Sequence, residues 1–481
     1  MNVVCLKKIN KAKEECQMKE LSVFIDTESK IPAYEQIYIF IKNEIMNGHL
    51  KAGEALPSSR ALAESLQFSR STILMAYDQL EAEGYIEARP QKGCYVMELE
   101  EGFRKNNHPD NFNGTAVAPE KYEIDFSPVG IETDNFPYNE WRKISKQVIS
   151  SENAELLNSG NAKGDAGLRE SIAKYLRDSR GVRAHSDRII LGAGYENLLM
   201  ILNFILKDSA AFAMENPVYP KAYRLIRNLG RRIIPVRLDE YGMSVEELDL
   251  SDAKVAYVTP SHQYPMGIVM SVGRRQELLQ WAYNKEGRYI IEDDYDSEFR
   301  YRGKPIPALQ GLDTQERVIY IGTFSKSISP AIRMSYMVLP QELMNKYYDI
   351  ISFCSNTVSR IDQKIVQVFM ESGGFERHLN RMRTIYKNKH AVMLSELKNW
   401  KNTEILGENA GAHMLVRIKN NMTEEDLVQK AALKGIKVYS LKNCYIGGKN
   451  TDTPIIMLGY AKLNLTTMEE GLRRLKQEWN V

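Results

Sequence analysis

Five short apolar runs, each ending in small or polar residues, constrain the fold of residues 121–481 more than any other feature of the sequence. The runs are RIILGAG, AAFAMENP, VAYVTP, RYIIEDDY and RVIYIGTF, and amphipathic helical segments lie between them. Strand-length runs that alternate with helices are typical of a mostly parallel sheet, so we predict an α/β domain over 121–481. Binding sites of such sheets form beyond the carboxyl ends of the strands, where GAGYEN, TPSHQYPMG, EDDYDSEF and GTFSK lie.

Residues 31–99 follow a different pattern, that of short helices and one hairpin. A helix is predicted over 33–46, where isoleucines recur at helical spacing, and a second helix ends at Leu66. A third helix runs from about Ser69 to Glu83 after the tight link QFS. The segment YIEARPQKGCYV then predicts a hairpin with a basic tip. This order of elements is a winged helix-turn-helix pattern.

The start of the third helix carries side chains suited to DNA. A helix fits the major groove with its N-terminal side chains at base edges, which makes Ser69, Arg70 and Thr72 candidates. Arg60 on the preceding helix and Lys92 at the hairpin tip could contact the phosphate backbone on either side. Residues 32–97 hold six Lys or Arg and eight Asp or Glu, so charge alone also allows a helical domain for protein contacts. Because that charge weakens monomer binding, we expect a dimer that reads two half-sites.

The segment LPSSRALAESLQFSRSTILMAYDQLEAEGYI is specific, and with its flanks it resembles the GntR-type winged helix along its whole length. The resemblance implies that Arg60, Arg70, Thr72 and Gly93 lie at the DNA. It also implies a double-stranded DNA operator as the partner of this domain.

Residues 100–120 separate the two regions and are rich in Asn, Gly, Pro and charge without a period. We therefore predict a linker there. Over the whole chain of 481 residues, 64 Lys and Arg balance 62 Asp and Glu, which argues against a uniformly basic protein.

The chain shows no sign of export or membrane insertion. Its five cysteines are odd in number and lack C-x-x-C spacing, which favours a reducing, cytoplasmic location over a disulfide framework. No apolar run is long enough to span a bilayer, and the first 20 residues lack the apolar region of a signal peptide. Met18 opens a more usual start, so whether residues 1–17 belong to the native chain stays open.

A lysine directly after a predicted strand is the first candidate for chemistry. Lys326 in GTFSKSISPAIRMSY can form an imine with an aldehyde if its amine is uncharged. Arg333 offers a fork for a phosphate, and Thr323 and Ser325 add hydroxyl groups nearby. Taken alone, a lysine after a strand is more often a surface residue.

Further candidates lie at the other strand ends. The small residues of Ala193-Gly194-Tyr195 let backbone N–H groups close on an anion. In EDDYDSEF, Asp293 could keep a pyridine nitrogen protonated and Tyr295 could bond a ring hydroxyl, although a divalent metal site is the competing interpretation. His262 could equally be a structural residue of its loop or a cofactor contact. Tyr219 could stack on an aromatic ring or pack in the core.

Together, TPSHQYPMGIVMS, IIEDDYDSEFRYRGKPIPALQGLD and VIYIGTFSKSISPAIRMSYMVLP resemble fold-type I pyridoxal-phosphate (PLP) aminotransferases. The order of winged helix, linker and this domain is similar to the MocR/GabR-type regulators, which are typically homodimers. The resemblance implies PLP as cofactor, Lys326 as its aldimine lysine, Asp293 at the pyridine nitrogen and Tyr295 at the ring hydroxyl. It also implies that Tyr219 lies over the ring. The residues it implies around the phosphate are Ala193, Gly194, Tyr195, Ser325 and Arg333.

The sequence departs from this pattern where a substrate carboxylate would be held. Met457 in IIMLGYAKL occupies the place of the aminotransferase arginine, and YSLKNCYIGG offers Lys442 without an arginine. Where the GABA-sensing type has arginines, this chain has Lys221 and Asn443. A lysine is a point charge and does not replace a bidentate fork, which argues against GABA as effector and against efficient transamination.

Three functions are compatible with these residues. The first is a transcription regulator that senses PLP, or a small amine or amino acid that reacts with it, through Lys326. The second is a PLP-dependent aminotransferase with an appended DNA-binding domain. The third is a dimerisation domain with an inactive cofactor site. The sequence does not name the effector, the operator, the regulated genes or the sign of regulation.

Overall fold

The computed structural model describes residues 25–26, 29–99, 122–209, 211–301, 306–407, 411–448 and 453–481. The chain divides into two compact units, residues 1–118 and residues 119–481. The predicted linker over 100–120 and the open question about residues 1–17 lie outside the described residues.

The first unit is built as the helical and hairpin pattern predicts. Its elements are α1 (Ala33–Met46), α2 (Ser59–Leu66), α3 (Arg70–Ala82), β1 (Ile86–Arg89) and β2 (Gly93–Val96). The strands β1 and β2 pair in antiparallel register, and the buried isoleucines of α1 pack against α3. The structure therefore confirms a winged helix-turn-helix.

Two serines set the helix starts of this unit. The side chain of Ser58 accepts a hydrogen bond from the backbone N–H of Ala61, and Ser69 accepts one from Thr72. Each cap satisfies a backbone donor that the first helical turn leaves without an intrahelical partner. The cap at Ser69 fixes where α3 begins and so which side chains stand at its N-terminus.

The second unit contains the remaining strands and helices. Its strands are β3 (Ile124–Asp125), β4 (Ile189–Gly192), β5 (Ala211–Asn216), β6 (Arg232–Asp239), β7 (Gly242–Met243), β8 (Val255–Val258), β9 (Tyr289–Asp294), β10 (Val318–Thr323), β11 (Ser335–Val338), β12 (Thr403–Leu406), β13 (His413–Ile418), β14 (Ile436–Lys437), β15 (Tyr439–Ser440) and β16 (Ile455–Gly459). Its helices are α4 (Tyr138–Val148), α5 (Ala166–Arg180), α6 (Tyr195–Ile205), α7 (Pro220–Asn228), α8 (Val245–Asp249), α9 (Val272–Tyr283), α10 (Phe324–Ser327), α11 (Gln341–Ile350), α12 (Arg360–Glu371), α13 (Gly374–Lys398), α14 (Glu424–Leu433) and α15 (Leu465–Trp479).

Eight of these strands form one sheet in the order β4-β11-β10-β9-β8-β5-β6-β7. The five central strands from β10 to β6 are mutually parallel, whereas β11 and β7 run antiparallel to their neighbours. All five apolar runs of the sequence are strands of this sheet, namely β4, β5, β8, β9 and β10. The predicted α/β class with a mostly parallel sheet is confirmed.

A smaller antiparallel sheet, β12-β13-β16-β15, follows near the C-terminus. It packs in a separate apolar cluster that includes residues of α13 and α15. The short strand β3 pairs in parallel with β14, so the start of the second unit is tied to its C-terminal part. Among the described helices, none is both long and apolar enough to cross a membrane.

The first unit has its own core, and this predicts a separable stability. Leu80 on α3 is fully buried, so Leu80→Ala should cost about 2–5 kcal/mol of the unfolding free energy of this unit. In calorimetry of the full chain, the transition of the winged helix should move to lower temperature while that of the second unit stays. Leu74→Ala on the same helix is the control, because Leu74 is 38% exposed. Equal shifts of both transitions would contradict two separate cores.

Candidate functional site

One cavity of about 210 Å³ lies at the carboxyl ends of the parallel strands. Eight of the eleven residues that the sequence singles out for a cofactor line it: Tyr195, Tyr219, Asp293, Tyr295, Thr323, Ser325, Lys326 and Arg333. Ala193, Gly194 and His262 lie beside it rather than among the lining residues. The cavity thus brings together side chains from four separate strand ends.

Lys326 stands on α10, the short helix that directly follows β10. The hydroxyl of Thr323 caps this helix by accepting a hydrogen bond from the N–H of Ser325, 3.1 Å away. The Lys326 ammonium nitrogen donates to the carbonyl oxygens of Pro128 and Gly130, at 3.1 and 3.3 Å. Removal from water lowers the pKa of Lys326 to about 8, while the charge of Asp296 opposes that shift. A useful fraction of this amine is therefore uncharged near neutral pH.

Asp293 comes from the end of β9 and is almost completely buried. The hydroxyl of Tyr257 donates a hydrogen bond to its Oδ2, and Tyr195 and Tyr257 share a 2.6 Å hydroxyl contact. Burial raises the pKa of Asp293 to about 7; the hydrogen bond from Tyr257 opposes this, and Asp294 and Asp296 add to it. A cationic group next to this carboxyl in the cavity would stabilise its ionised form.

The neighbours of Asp293 in the acidic segment each find a different partner in the protein. Glu292 accepts hydrogen bonds from the backbone N–H groups of Leu309 and Gln310, and Asp294 pairs with buried Arg180 at 2.9 Å. Within the described ranges, no group of three or more His, Cys, Asp or Glu is arranged to hold a metal ion.

His262 does not line the cavity but contacts Tyr295, which does. Its Nδ1 lies 2.9 Å from the hydroxyl of Tyr295 and 2.9 Å from Oδ2 of Asp296, and the side chain is buried. The sequence left a loop residue and a cofactor contact equally open. The geometry makes His262 a support that orients Tyr295, which itself lines the cavity.

The groups at the opposite end of the cavity have the charge and geometry that suit an anion. Gly194, with φ +85°, precedes the first turn of α6, and a Cβ there would come within 2.7 Å of the guanidinium carbon of Arg333. Because of this close approach, the N-terminus of α6, the side chain of Arg333 and the hydroxyl of Ser325 surround one space, which we call the anion cradle. The backbone N–H of Ala193 is already used, because it donates to the Thr357 hydroxyl at 3.0 Å.

These features fit PLP. A buried carboxyl, a lysine of lowered pKa and an anion cradle correspond to the pyridine nitrogen, the aldehyde and the phosphate of that molecule. The ring of Tyr219 also lines the cavity and meets the ring of Tyr264 edge-on, with 5.2 Å between centroids.

The place of the aminotransferase arginine is apolar. Met457 on β16 is buried, and the hydroxyl of Tyr264 points at its sulfur from 3.7 Å. Of the residues that the sequence offered as substitutes, Lys221 lines the cavity, whereas Lys442 pairs with Glu425 and Asn443 is exposed. Among the described lining residues, Arg333 is the sole arginine.

In the first unit, the candidate DNA residues share an exposed position. Arg60, Ser69, Arg70, Lys92 and Gly93 are exposed, and Thr72 is partly buried against the Ser69 hydroxyl. The Arg70 side chain reaches back to the hydroxyl of Ser59 at 3.3 Å. Gly93 adopts φ +99°, which closes the tight turn of the wing beside Lys92.

Comparison with known proteins agrees with both units. The model of the gntR family of bacterial regulatory proteins matches residues 33–96, and that of aminotransferase class I and II matches residues 131–475. The probable rhizopine catabolism regulatory protein MocR of Rhizobium meliloti is 32% identical over 94% of both chains. The chain belongs to the MocR-type transcriptional regulators.

Other relatives of this MocR-type regulator include the uncharacterized HTH-type transcriptional regulator YhdI of Bacillus subtilis, 39% identical over 96% of this chain and 98% of that one. The pyridoxine biosynthesis transcriptional regulator PdxR of Corynebacterium glutamicum is 30% identical over 86% and 89%. A multiple substrate aminotransferase from Thermococcus profundus has a TM-score of 0.67 at 24% identity, covering 76% of this chain and 92% of its own. This last likeness concerns the fold alone.

Sequence reasoning missed several lining residues of the MocR-type cavity. Pro128 and Val129 come from the segment before α4, far along the chain from the strand ends, and no periodic signal marks them. Glu196 and Thr259 sit inside the polar clusters that the sequence identified, but nothing in their spacing separates them from their neighbours. Tyr257 does not line the cavity but donates to Asp293; it was missed because it lies in the middle of an apolar run, which is typical of a core residue.

The lowered pKa of Lys326 predicts a distinctive pH profile. Only the neutral amine attacks an aldehyde, so trapping of a small aldehyde on Lys326 with borohydride should rise with pH through a midpoint near 8. Exposed Lys442, whose pKa its partner Glu425 raises, should react only at much higher pH. Peptide mapping of the trapped adducts across a pH series measures both. A shared midpoint for the two lysines would show that burial does not activate Lys326.

Proposed function

We propose that this MocR-type regulator binds PLP in the cavity and that binding changes the affinity of its winged helix for a double-stranded DNA operator. The observation that carries the proposal is the meeting of Lys326, Asp293 and the Arg333 cradle in one cavity. The relative PdxR of Corynebacterium glutamicum is a pyridoxine biosynthesis regulator, which supports a signal related to vitamin B6. Since an operator lies on chromosomal DNA, the proposal places the protein in the cytoplasm.

PLP supplies an aldehyde that reacts with amines and a pyridine ring that draws electrons from the adduct. In the proposal Lys326 would hold the aldehyde of PLP, because its amine is in part uncharged near neutral pH. Asp293 keeps the proton on the pyridine nitrogen: a cation beside this buried carboxyl stabilises its charged form. Tyr295 donates to the ring hydroxyl, and the His262 contact holds that tyrosine in position.

The remaining residues orient and enclose the ligand. Tyr219, which lines the cavity, would cover one face of the ring. In the proposal the phosphate lies against the start of α6 at Tyr195 and the side chains of Thr323, Ser325 and Arg333. Ala193 and Gly194 flank it, because their backbone N–H groups already donate to the Thr357 hydroxyl and to the carbonyl oxygen of Gly192.

The effector in this proposal is PLP itself or a small amine or amino acid that reacts at Lys326. Only a ligand with different affinities for two arrangements of the protein can shift DNA occupancy. A coupling of about 1–3 kcal/mol changes affinity roughly 5- to 150-fold, which is sufficient for regulation. We assign the DNA contacts to Arg60, Ser69, Arg70, Thr72, Lys92 and Gly93, and a homodimer to the reading of two half-sites.

An aminotransferase with an appended DNA-binding domain is the second candidate. The retained Lys326 and the buried Asp293 favour it, since both groups serve amino-transfer chemistry. The buried Met457 argues against it, because the described cavity offers no second arginine for a substrate carboxylate. Turnover of an amino donor and a keto acceptor at about 1–10³ s⁻¹ would favour the enzyme.

The covalent link predicts a visible absorbance band when PLP is added to the purified protein. Lys326→Ala should abolish the band, because the proposal assigns the covalent link to this amine, which lies directly after β10 and lines the cavity. Lys442→Ala, which removes an exposed lysine paired with Glu425, should leave it unchanged. Absorbance spectra before and after dialysis measure the outcome. A band that persists in Lys326→Ala would overturn the assignment of this residue.

The assigned DNA contacts predict that operator binding and the response to PLP can be lost separately. Arg70→Ala should weaken operator binding by about 1–3 kcal/mol, whereas Lys326→Ala should bind DNA but lose its response to PLP. Arg473→Ala is the control, an exposed arginine of the second unit that pairs with Glu470. Footprinting upstream of the gene of this protein, with and without PLP, reports each property. Wild-type binding by Arg70→Ala would contradict the assigned DNA contact.

A further inference from the structure

Glu196 is a carboxylate at the anion end of the cavity. It is the second residue of α6 and lines the cavity together with Arg333 and Lys221. Its Oε2 lies 2.7 Å from Nη2 of Arg333, and the two side chains are 37% and 52% exposed. An acidic side chain therefore holds the guanidinium that we assign to a phosphate.

The surrounding charges keep Glu196 ionised. Burial would raise the pKa of this carboxyl, but the hydrogen bond from Arg333, the backbone amide at the start of α6 and the charges of Arg333 and Lys221 lower it overall. Tyr219, which directly precedes α7, and Asp293, at the end of β9, line the same cavity, and Asp293 is itself acidic. Glu196 thus stands as a fixed negative charge in the cradle.

A phosphate monoester carries about −1.5 to −2 charges near neutral pH. It would need the same guanidinium fork and the same helix N-terminus that Glu196 now uses. The space around Arg333 is narrow, because a Cβ atom added to Gly194 would already clash with the guanidinium. The carboxylate and a phosphate cannot both occupy the fork without like-charge repulsion.

We propose that Glu196 is a built-in competitor of the PLP phosphate for Arg333, which sets the affinity for PLP low enough for reversible sensing. Without ligand, Glu196 holds Arg333 in place; when the phosphate binds, the ion pair opens and the carboxylate turns away. This inference rests on the proposed PLP function and names PLP, through its phosphate, as the ligand whose concentration the protein follows.

The test is a titration of the full-length protein with PLP, followed by absorbance. Glu196→Gln keeps the size of the side chain and removes its charge, so its Kd for PLP should fall about tenfold or more. The control Glu140→Gln breaks a similar exposed pair with Arg377, 2.8 Å long and on other helices, and should leave the Kd unchanged. Glu196→Ala serves as a second variant if Glu196→Gln fails to fold.

Pyridoxal, which lacks the phosphate, separates competition from a general loosening of the site. Glu196→Gln should bind pyridoxal as the wild type does, because no phosphate then competes for Arg333. Unchanged PLP affinity in the variants, or an equal gain for pyridoxal and PLP, would overturn the role of Glu196 while leaving the proposed function intact. If the wild type itself takes up no PLP, the proposed function fails, and this inference fails with it.

Discussion

The parallel register of β8, β9 and β10 is the constraint on which the site depends. Ile321 of β10 pairs with Asp293 of β9, and Val258 of β8 pairs with Glu292 of the same strand. Because all three strands end at one edge, the residues that follow them meet there despite long separations in sequence. The helix α10 then needs only one turn to bring Lys326 into the cavity that Asp293 also lines.

This arrangement takes several ionisable groups out of water, which costs free energy that nearby partners offset. Arg180 neutralises Asp294 in the interior, and two backbone N–H groups bind Glu292, whose pKa burial raises to about 7. Lys326 and Asp293 line the cavity itself, and burial moves their pKa values toward neutrality as well, to about 8 and about 7. Groups tuned in this way are typical of binding and catalytic sites.

The sequence predicted the larger features because they leave local signals. Apolar runs identified β4, β5, β8, β9 and β10, and the tight link QFS marked where α3 begins. The strand β6 was not among the predicted runs, because Pro235 and three charged residues interrupt its apolar sequence, which fits its place next to the short edge strand β7. The cavity wall at Pro128 and the Glu196–Arg333 pair come from tertiary contacts, for which one sequence carries no signal.

A crystal structure of the protein soaked with PLP tests the central claim most directly. The account predicts continuous electron density from Nζ of Lys326 into the ligand and a phosphate between Gly194 and Arg333. It also predicts that the carboxylate of Glu196 has left the guanidinium. A structure in which Lys326 keeps its bonds to the carbonyls of Pro128 and Gly130, with PLP bound elsewhere or not at all, would contradict it.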